Sequence, residues 1–253
     1  MIKIKYMGSK SRVAKYIVPI IQKCIDENNI TTYIEPFAGG LNVIDKIRCK
    51  HRYAYDINKY LIALWLHLQN GGRLLSEVPR ELYSEVRANY QSDCYEDWYV
   101  GNIGFLASYN GRWFDGGYAQ SGYEKTKNGM RYRDYYKEAF NNVLNQLTNV
   151  MDIQLEVIDY RNLHPSGAVV YCDPPYQGVK QYANSVNFDY DEFWDIMRRW
   201  SKDNFVFISE LDAPDDFECI WMQEVSRSIK ATDKSKAVEK LFITKTEKER
   251  ACL

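Results

Sequence analysis

The tetrapeptide Asp173-Pro174-Pro175-Tyr176 is where residue types and spacing point most directly to chemistry. Two consecutive prolines fix φ and supply no N–H, so the chain here can continue neither a helix nor a strand ladder. The stiff turn presents a carboxylate, a proline carbonyl with no competing local N–H, and an aromatic ring. This set suits an exocyclic amine on a nucleobase, a poor nucleophile because its lone pair is delocalised into the ring. A carboxylate and a carbonyl that accept its two N–H bonds favour a pyramidal nitrogen and free that lone pair. The aromatic ring stacks on the base, as in enzymes that act on extruded bases. Orientation and acceptors placed for charge developing on nitrogen suffice, and no general base with an extreme pKa is required. Taken alone, the tetrapeptide reads equally well as a strand-ending turn.

The elements around it decide between these readings. The apolar run 168–171 predicts a short strand buried on both faces, as in a parallel sheet. Ligands bind at the C-terminal edge of such sheets. Residues 31–35 predict the first strand, followed by Pro36-Phe37-Ala38-Gly39-Gly40 and a helix over 41–49. Strand, glycine-rich turn and helix is cofactor-binding geometry. The turn is not G-x-G-x-x-G, so a dinucleotide is not supported, and without a Walker lysine neither is a nucleoside triphosphate. The second strand, 52–57, ends in Asp56, roughly 20 residues past the turn, the position from which a carboxylate takes ribose hydroxyls. A plain capping role is the alternative. Asn58 caps a helix over 59–69, which Gly71-Gly72 ends.

Residues 1–10 read as an extended lead-in broken at Gly8-Ser9, with Ser9 capping a helix over 10–27. Val13, Tyr16, Ile17, Ile20, Ile21 and Cys24 fall on its apolar face, and Pro19 inside that face predicts a kink. Lys10 lies near the N-terminal end of this helix, where a cation gains nothing from the dipole. It is either a ligand-holder or a solvated lysine. Downstream, 134–149 predicts a helix and 153–160 a strand that also ends in an acid, Asp159. After Tyr176 come a polar loop (177–187) placed to close over a site, a helix (190–200) and a strand (204–209). A final strand pair (219–225 and 238–244) is joined by a basic loop with Arg227, Lys230, Lys234 and Lys236, and 245–250 reads as a frayed tail.

From 73 to 136 the alternation of strand and helix stops. This stretch is too long for a loop and predicts an inserted subdomain, rich in Tyr, Trp, Gly, Asn and Arg. Asn and Arg beside aromatics are what base-edge reading uses. Asn110, Arg112 and Trp113 lie in its densest part, and Arg131 and Arg133 could meet phosphates. An ordinary aromatic-rich minidomain has the same composition. At 253 residues with a net charge of −1, the chain does not announce a nucleic-acid binder by composition. Up to Gln22, however, its only charges are basic: Lys3, Lys5, Lys10, Arg12 and Lys15. The six cysteines contain no C-x-x-C, which points to reduced thiols and a cytoplasmic setting. His51, His67 and His164 are too scattered to suggest a metal site. No apolar run approaches a membrane span.

With these elements in place, the chain resembles the Dam-type (α-group, D12-like) DNA adenine-N6 methyltransferases. Residues 4–10 (Ile-Lys-Tyr-Met-Gly-Ser-Lys) resemble that family's N-terminal motif, and Glu35-Pro36-Phe37-Ala38-Gly39-Gly40 its cofactor motif. Asp56-Ile57-Asn58 and Asp173-Pro174-Pro175-Tyr176 match two further motifs, all in the family's order. Leu41 departs from the pattern, standing where the family has a glycine. The resemblance implies an α/β, Rossmann-like S-adenosylmethionine-dependent methyltransferase fold, mostly parallel with a C-terminal antiparallel strand pair. Residues 1–72 and 137–253 would form the catalytic domain, and 73–136 the target-recognition subdomain.

It further implies that Tyr6 and Lys10 hold the methionine end of S-adenosyl-L-methionine, with Glu35, Pro36, Phe37, Ala38 and Gly39 lining its turn. Asp56 would take the ribose, Ile57 would pack on the adenine, and Asp159 with Tyr160 would contact the adenine amino group. Asp173 and the Pro174 carbonyl would bind the target N6, with Pro175 stiffening the turn and Tyr176 stacking on the extruded base. Lys5, Asn110, Arg112, Trp113, Arg131 and Arg133 would contact double-stranded DNA, with no metal. The expected protein is a cytoplasmic monomer whose candidate partner is a cognate restriction endonuclease, and GATC is its target by analogy alone. The competing readings are an amino-methyltransferase for RNA adenine or cytosine N4, and an inactive DNA-binding relative. Asp173 counts against cytosine N4, and the intact tetrapeptide counts against an inactive relative.

Overall fold

The computed structural model describes residues 8–126, 129–177, 188–226 and 236–247. Lys5, Tyr6, loop residues 178–187 and the basic loop over 227–235 lie outside the described residues. The elements in chain order are α1 (Ala14–Glu27), β1 (Thr32–Glu35), β2 (His51–Asp56), α2 (Lys59–Gln69), α3 (Arg80–Asn89), α4 (Asp97–Leu106), β3 (Gly122–Thr126), β4 (Gly129–Arg133), α5 (Tyr135–Leu147), β5 (Gln154–Val157), β6 (Val169–Cys172), α6 (Tyr190–Trp200), β7 (Phe205–Glu210), β8 (Phe217–Ser226) and β9 (Lys236–Thr244). Among the described residues no helix is long and apolar enough to cross a membrane.

Two expectations about helices are corrected. Lys10–Arg12 form a single 3-10 turn, in which the Ser9 hydroxyl accepts from the Ser11 N–H at 3.2 Å, and α1 starts only at Ala14, with no side-chain cap. Its buried face is Ala14, Ile17, Ile21, Cys24 and Ile25, while Tyr16 and Pro19 face solvent. The helix expected over 41–49 is reduced to a 3-10 turn, Ile44–Lys46. Gly39 (φ 47°) and Leu41 (φ 55°) both adopt left-handed backbone, which is incompatible with continuing a right-handed helix. Leu41, Val43, Ile44 and Ile47 are buried instead as anchors of an irregular turn.

The chain divides into two compact units. One holds Gly39–Lys46 and Asn58–Val157 with the chain up to Ser11; the other holds Arg12–Ala38, Ile47–Ile57 and the chain from Ile158 onward. In the second unit the strands run in the order β2-β1-β6-β7-β9-β8. β1 pairs in parallel with β2 and β6, β6 pairs in parallel with β7, and β9 runs antiparallel between β7 and β8. All four residues of β6 are buried, as a strand with neighbours on both sides and both faces covered requires. β8 and β9 form the expected C-terminal antiparallel pair. Of the tail expected to fray, 248–250 lie outside the described residues and 245–247 are ordered: Glu247 is buried, with its carboxylate accepting from the Val206 N–H (2.8 Å), the Thr244 N–H (2.9 Å) and the Thr244 hydroxyl (2.8 Å).

In the first unit, Asn58 caps α2 by accepting from the Leu61 N–H at 3.3 Å, and Asp134 caps α5 by accepting from the Lys137 N–H at 2.9 Å. α4 is buried along its whole second half, from Val100 to Leu106. Gly101 makes that packing feasible, because a Cβ there would sit 2.3 Å from the Tyr60 carbonyl oxygen of α2. β3 and β4 form a separate two-stranded antiparallel hairpin that pairs Tyr123 with Tyr132.

Candidate active site

The strand registers of the second unit gather acidic residues along one edge of the sheet. Ile34 lies opposite Val170 and Cys172 opposite Ile208, so Glu35, Asp173 and Glu210 all fall at the carboxyl ends of adjacent parallel strands. Asp56 ends β2 on the same edge, two residues past the Glu35–Ala54 pair. β2 and β6 leave β1 on opposite sides, so the crevice lies at a topological switch point.

The turn after β6 is held from outside itself. The Tyr190 hydroxyl of α6 donates to the Pro175 carbonyl at 3.0 Å, and the Tyr176 hydroxyl donates to the Glu239 carboxylate of β9 at 2.9 Å. Among the described residues none donates a hydrogen bond to the Pro174 carbonyl. Burial and the carboxylates of Asp173, Glu239 and Glu210 push the Tyr176 phenol well up, so it stays a neutral donor. Burial likewise raises the Cys172 thiol, which makes it inert. Glu239 and Tyr190 were missed as site residues by sequence reasoning. Both reach the turn across the fold, and neither carries a local pattern that marks it.

Beside this turn, the Tyr33 hydroxyl donates to Glu35 at 2.8 Å, and Glu35 is only 2 % exposed. The Ala38 N–H donates to the Tyr55 carbonyl at 2.9 Å, which pins the start of the glycine-rich turn to β2. The Phe37 ring packs 4.9 Å from Tyr160 and 6.0 Å from both Phe188 and Phe193. Asp56 is half-buried, whereas Ile57 is 52 % exposed directly after it. A carboxylate followed by an exposed apolar side chain suits a ribose joined to a planar base. The Asp159 carboxylate accepts from Arg161 at 2.9 and 2.6 Å and from its backbone N–H at 3.0 Å, and these bonds hold it below the usual carboxylate range.

Lys10 and Gly39 belong to the first unit, where Lys10 is buried. So does Asn42, another residue missed in the sequence. Its side-chain amide is buried with neither polar atom hydrogen-bonded among the described residues.

The expected DNA contacts fare unequally. Arg112 is exposed, and Asn110 sits exposed in a 3-10 turn with φ 56°. Trp113 is half-buried in an aromatic cluster, stacked on Tyr60 at 5.2 Å and packed 4.6 Å from Phe105, so its ring is engaged in holding the unit together. Arg133 makes a bidentate ion pair with Glu138 (2.9 Å on both arms) and lies 3.6 Å from Glu124, while Arg131 is more open. Exposed instead, on one face of the hairpin, are Tyr123, Lys125, Met130 and Tyr132.

The family model described as "D12 class N6 adenine-specific DNA methyltransferase" matches residues 6–206. This chain belongs to that family. The methyltransferase is 26% identical over 227 residues to the Type II methyltransferase M.MjaIII of Methanocaldococcus jannaschii, covering 76% of this chain and 74% of that protein. Among solved structures, a putative RNA methyltransferase, PH1948, from Pyrococcus horikoshii aligns with a TM-score of 0.39 at 7% identity, covering 89% of this chain and 81% of that one. Family membership makes this protein an S-adenosylmethionine-dependent DNA adenine-N6 methyltransferase with a Rossmann-like α/β fold. The matched span takes in every motif from Tyr6 to Tyr176 and ends within β7, so Glu239 lies beyond it.

Proposed function

We propose that this methyltransferase modifies N6 of an adenine extruded from double-stranded DNA at one short sequence. S-adenosylmethionine supplies the electrophilic methyl group. The Asp173 carboxylate and the Pro174 carbonyl accept hydrogen bonds from the two N6 hydrogens, hold the nitrogen pyramidal and stabilise the positive charge that develops on it. As the N–C bond forms the C–S bond would break, S-adenosylhomocysteine would leave, and one N6 proton would be lost to water. Tyr176 stacks on the extruded base, with its ring angle set by the bond to Glu239. Asp56 binds the ribose hydroxyls, Ile57 and Phe37 offer apolar surface to the cofactor, and Asp159 and Tyr160 border its adenine. The sequence resemblance adds Tyr6, Lys10, Glu35, Pro36, Ala38 and Gly39 to the cofactor's surroundings.

Residues 73–136 are proposed to read the DNA, with Arg112 and Arg131 as exposed cationic side chains of that stretch and Lys5 added by the resemblance. A relative named as a Type II methyltransferase supports a cognate restriction endonuclease as a partner. The carrying observation is the Asp173–Tyr176 turn, which leaves a doubly flanked buried strand at the switch point of a parallel sheet with its orientation fixed by Tyr190 and Glu239. The test is incubation with methyl-labelled S-adenosylmethionine and unmethylated duplex DNA, followed by digestion to nucleosides. Label in N6-methyladenine is expected. Label that enters RNA or single strands in preference to duplex DNA would overturn the choice of substrate.

A further inference from the structure

Leu41 stands where the resemblance expects a glycine, and its backbone is left-handed (φ 55°), the region that favours glycine, while its side chain is fully buried. A leucine in left-handed backbone is strained, and such a residue persists only where its surroundings over-determine it. The side chain that does so comes from more than a hundred residues away. The Gln146 amide nitrogen, near the C-terminal end of α5, donates one N–H to the Gly40 carbonyl (2.9 Å) and the other to the Leu41 carbonyl (3.1 Å). Gln146 is 3 % exposed, so water cannot replace these bonds. The next residue, Asn42, carries the buried amide whose polar atoms are unpaired among the described residues.

We propose that Gln146 is the positioning residue of the cofactor turn, doing by hydrogen bonding what a glycine at position 41 would do by conformational freedom. By clamping two successive carbonyls it fixes the peptide planes around Leu41 and thereby aims Asn42 at the cofactor. The inference rests on the reading of this turn as the S-adenosylmethionine site.

The test uses the full-length protein and S-adenosylhomocysteine as a non-reacting probe in titration calorimetry. Gln146→Leu removes both donors at similar volume and is expected to weaken binding by about tenfold, the worth of roughly one net hydrogen bond. KM for S-adenosylmethionine should rise while kcat changes little. Leu41→Gly, placed on top of Gln146→Leu, should restore most of the affinity, because glycine takes φ 55° without strain. That rescue is a result which mere loss of core packing does not give. Unchanged affinity in a folded Gln146→Leu protein, or no rescue by Leu41→Gly, would overturn the proposal. Should Gln146→Leu fail to fold, a folded double variant with near wild-type affinity still supports it, and a double variant that also fails to fold overturns it. Amide hydrogen exchange over 40–46 separates this proposal from the cofactor assignment. Faster exchange in Gln146→Leu supports the clamp even if the wild type binds no S-adenosylhomocysteine, a result that would sink only the cofactor reading.

Discussion

Adenine N6 has two hydrogens to give, and Asp173 with the Pro174 carbonyl supplies two acceptors on a turn that cannot flex. Asp173→Ala should therefore lower single-turnover methyl transfer by about 10²-fold or more and leave S-adenosylhomocysteine affinity close to wild type. Normal turnover in that variant would refute the mechanism. Glu239 acts one step back. It holds the Tyr176 hydroxyl at 2.9 Å, so Glu239→Ala should slow transfer by about tenfold, roughly the effect of one lost hydrogen bond. Glu239→Gln, which still accepts, should recover most of the rate; equal losses in the two variants would mean that the bond does not matter. The strand-end positions of Asp173 and Asp56 were legible in the sequence because each is announced by its immediate neighbours, the two prolines in one case and the end of an apolar run in the other. Glu239 and Gln146 were not, because their partners lie 63 and about a hundred residues away and no local pattern records a long-range hydrogen bond. The half-burial of Trp113 in an aromatic cluster was not legible, because an indole ring in a core and one on a reading surface look alike in a sequence.

α5 follows the hairpin directly, and the Arg133–Glu138 pair ties the last residue of β4 to its first turns. The pair is bidentate but partly solvated, so Arg133→Ala should cost only about 1 kcal/mol in urea unfolding. A change much above that would mean that the pair organises the whole unit. At the other end of the chain, Glu247 closes β7 and β9 from below. Glu247→Ala strands the Val206 and Thr244 N–H groups in the interior and should cost roughly 2–4 kcal/mol. Burial raises the Glu247 carboxyl above its ordinary value, despite the backbone donors that lower it. A group whose folded-state pKa lies above its unfolded value favours the fold fully below the unfolded pKa, near 4.5, and loses that contribution as pH rises through the folded one. The stability gap between wild type and Glu247→Ala should accordingly narrow as the pH is raised from 4 towards neutrality, on the order of the carboxyl's titration range. A gap that widens would reverse the sign of the shift. The boundaries of α2 were readable because apolar periodicity and a capping residue, Asn58, coincide there. The aborted helix after Gly40 was not, since its apolar spacing is helical and only the backbone angle of Leu41 forbids it.

For the whole molecule, transfer of a methyl cation equivalent to a neutral amine builds no anion for a metal to stabilise. Dialysis against EDTA should leave the rate of DNA methylation unchanged, and a loss restored by magnesium would contradict the mechanism drawn from Asp173 and Pro174. The sequence by itself determined the fold class, the order of the strands along the chain and the identity of the central turn. Buried parallel strands, proline pairs and strand-ending acids are properties of a few adjacent residues, and local sterics and hydrophobicity express them directly. What only the tertiary structure decided is which distant side chains hold those residues still. Pairing β9 against β7 is what brings β9's Glu239 to Tyr176, and the packing of α5 is what brings Gln146 to a leucine in a glycine's conformation. Such bonds depend on the meeting of elements far apart in the chain, and a buried donor finds its acceptor only once the core between them has closed.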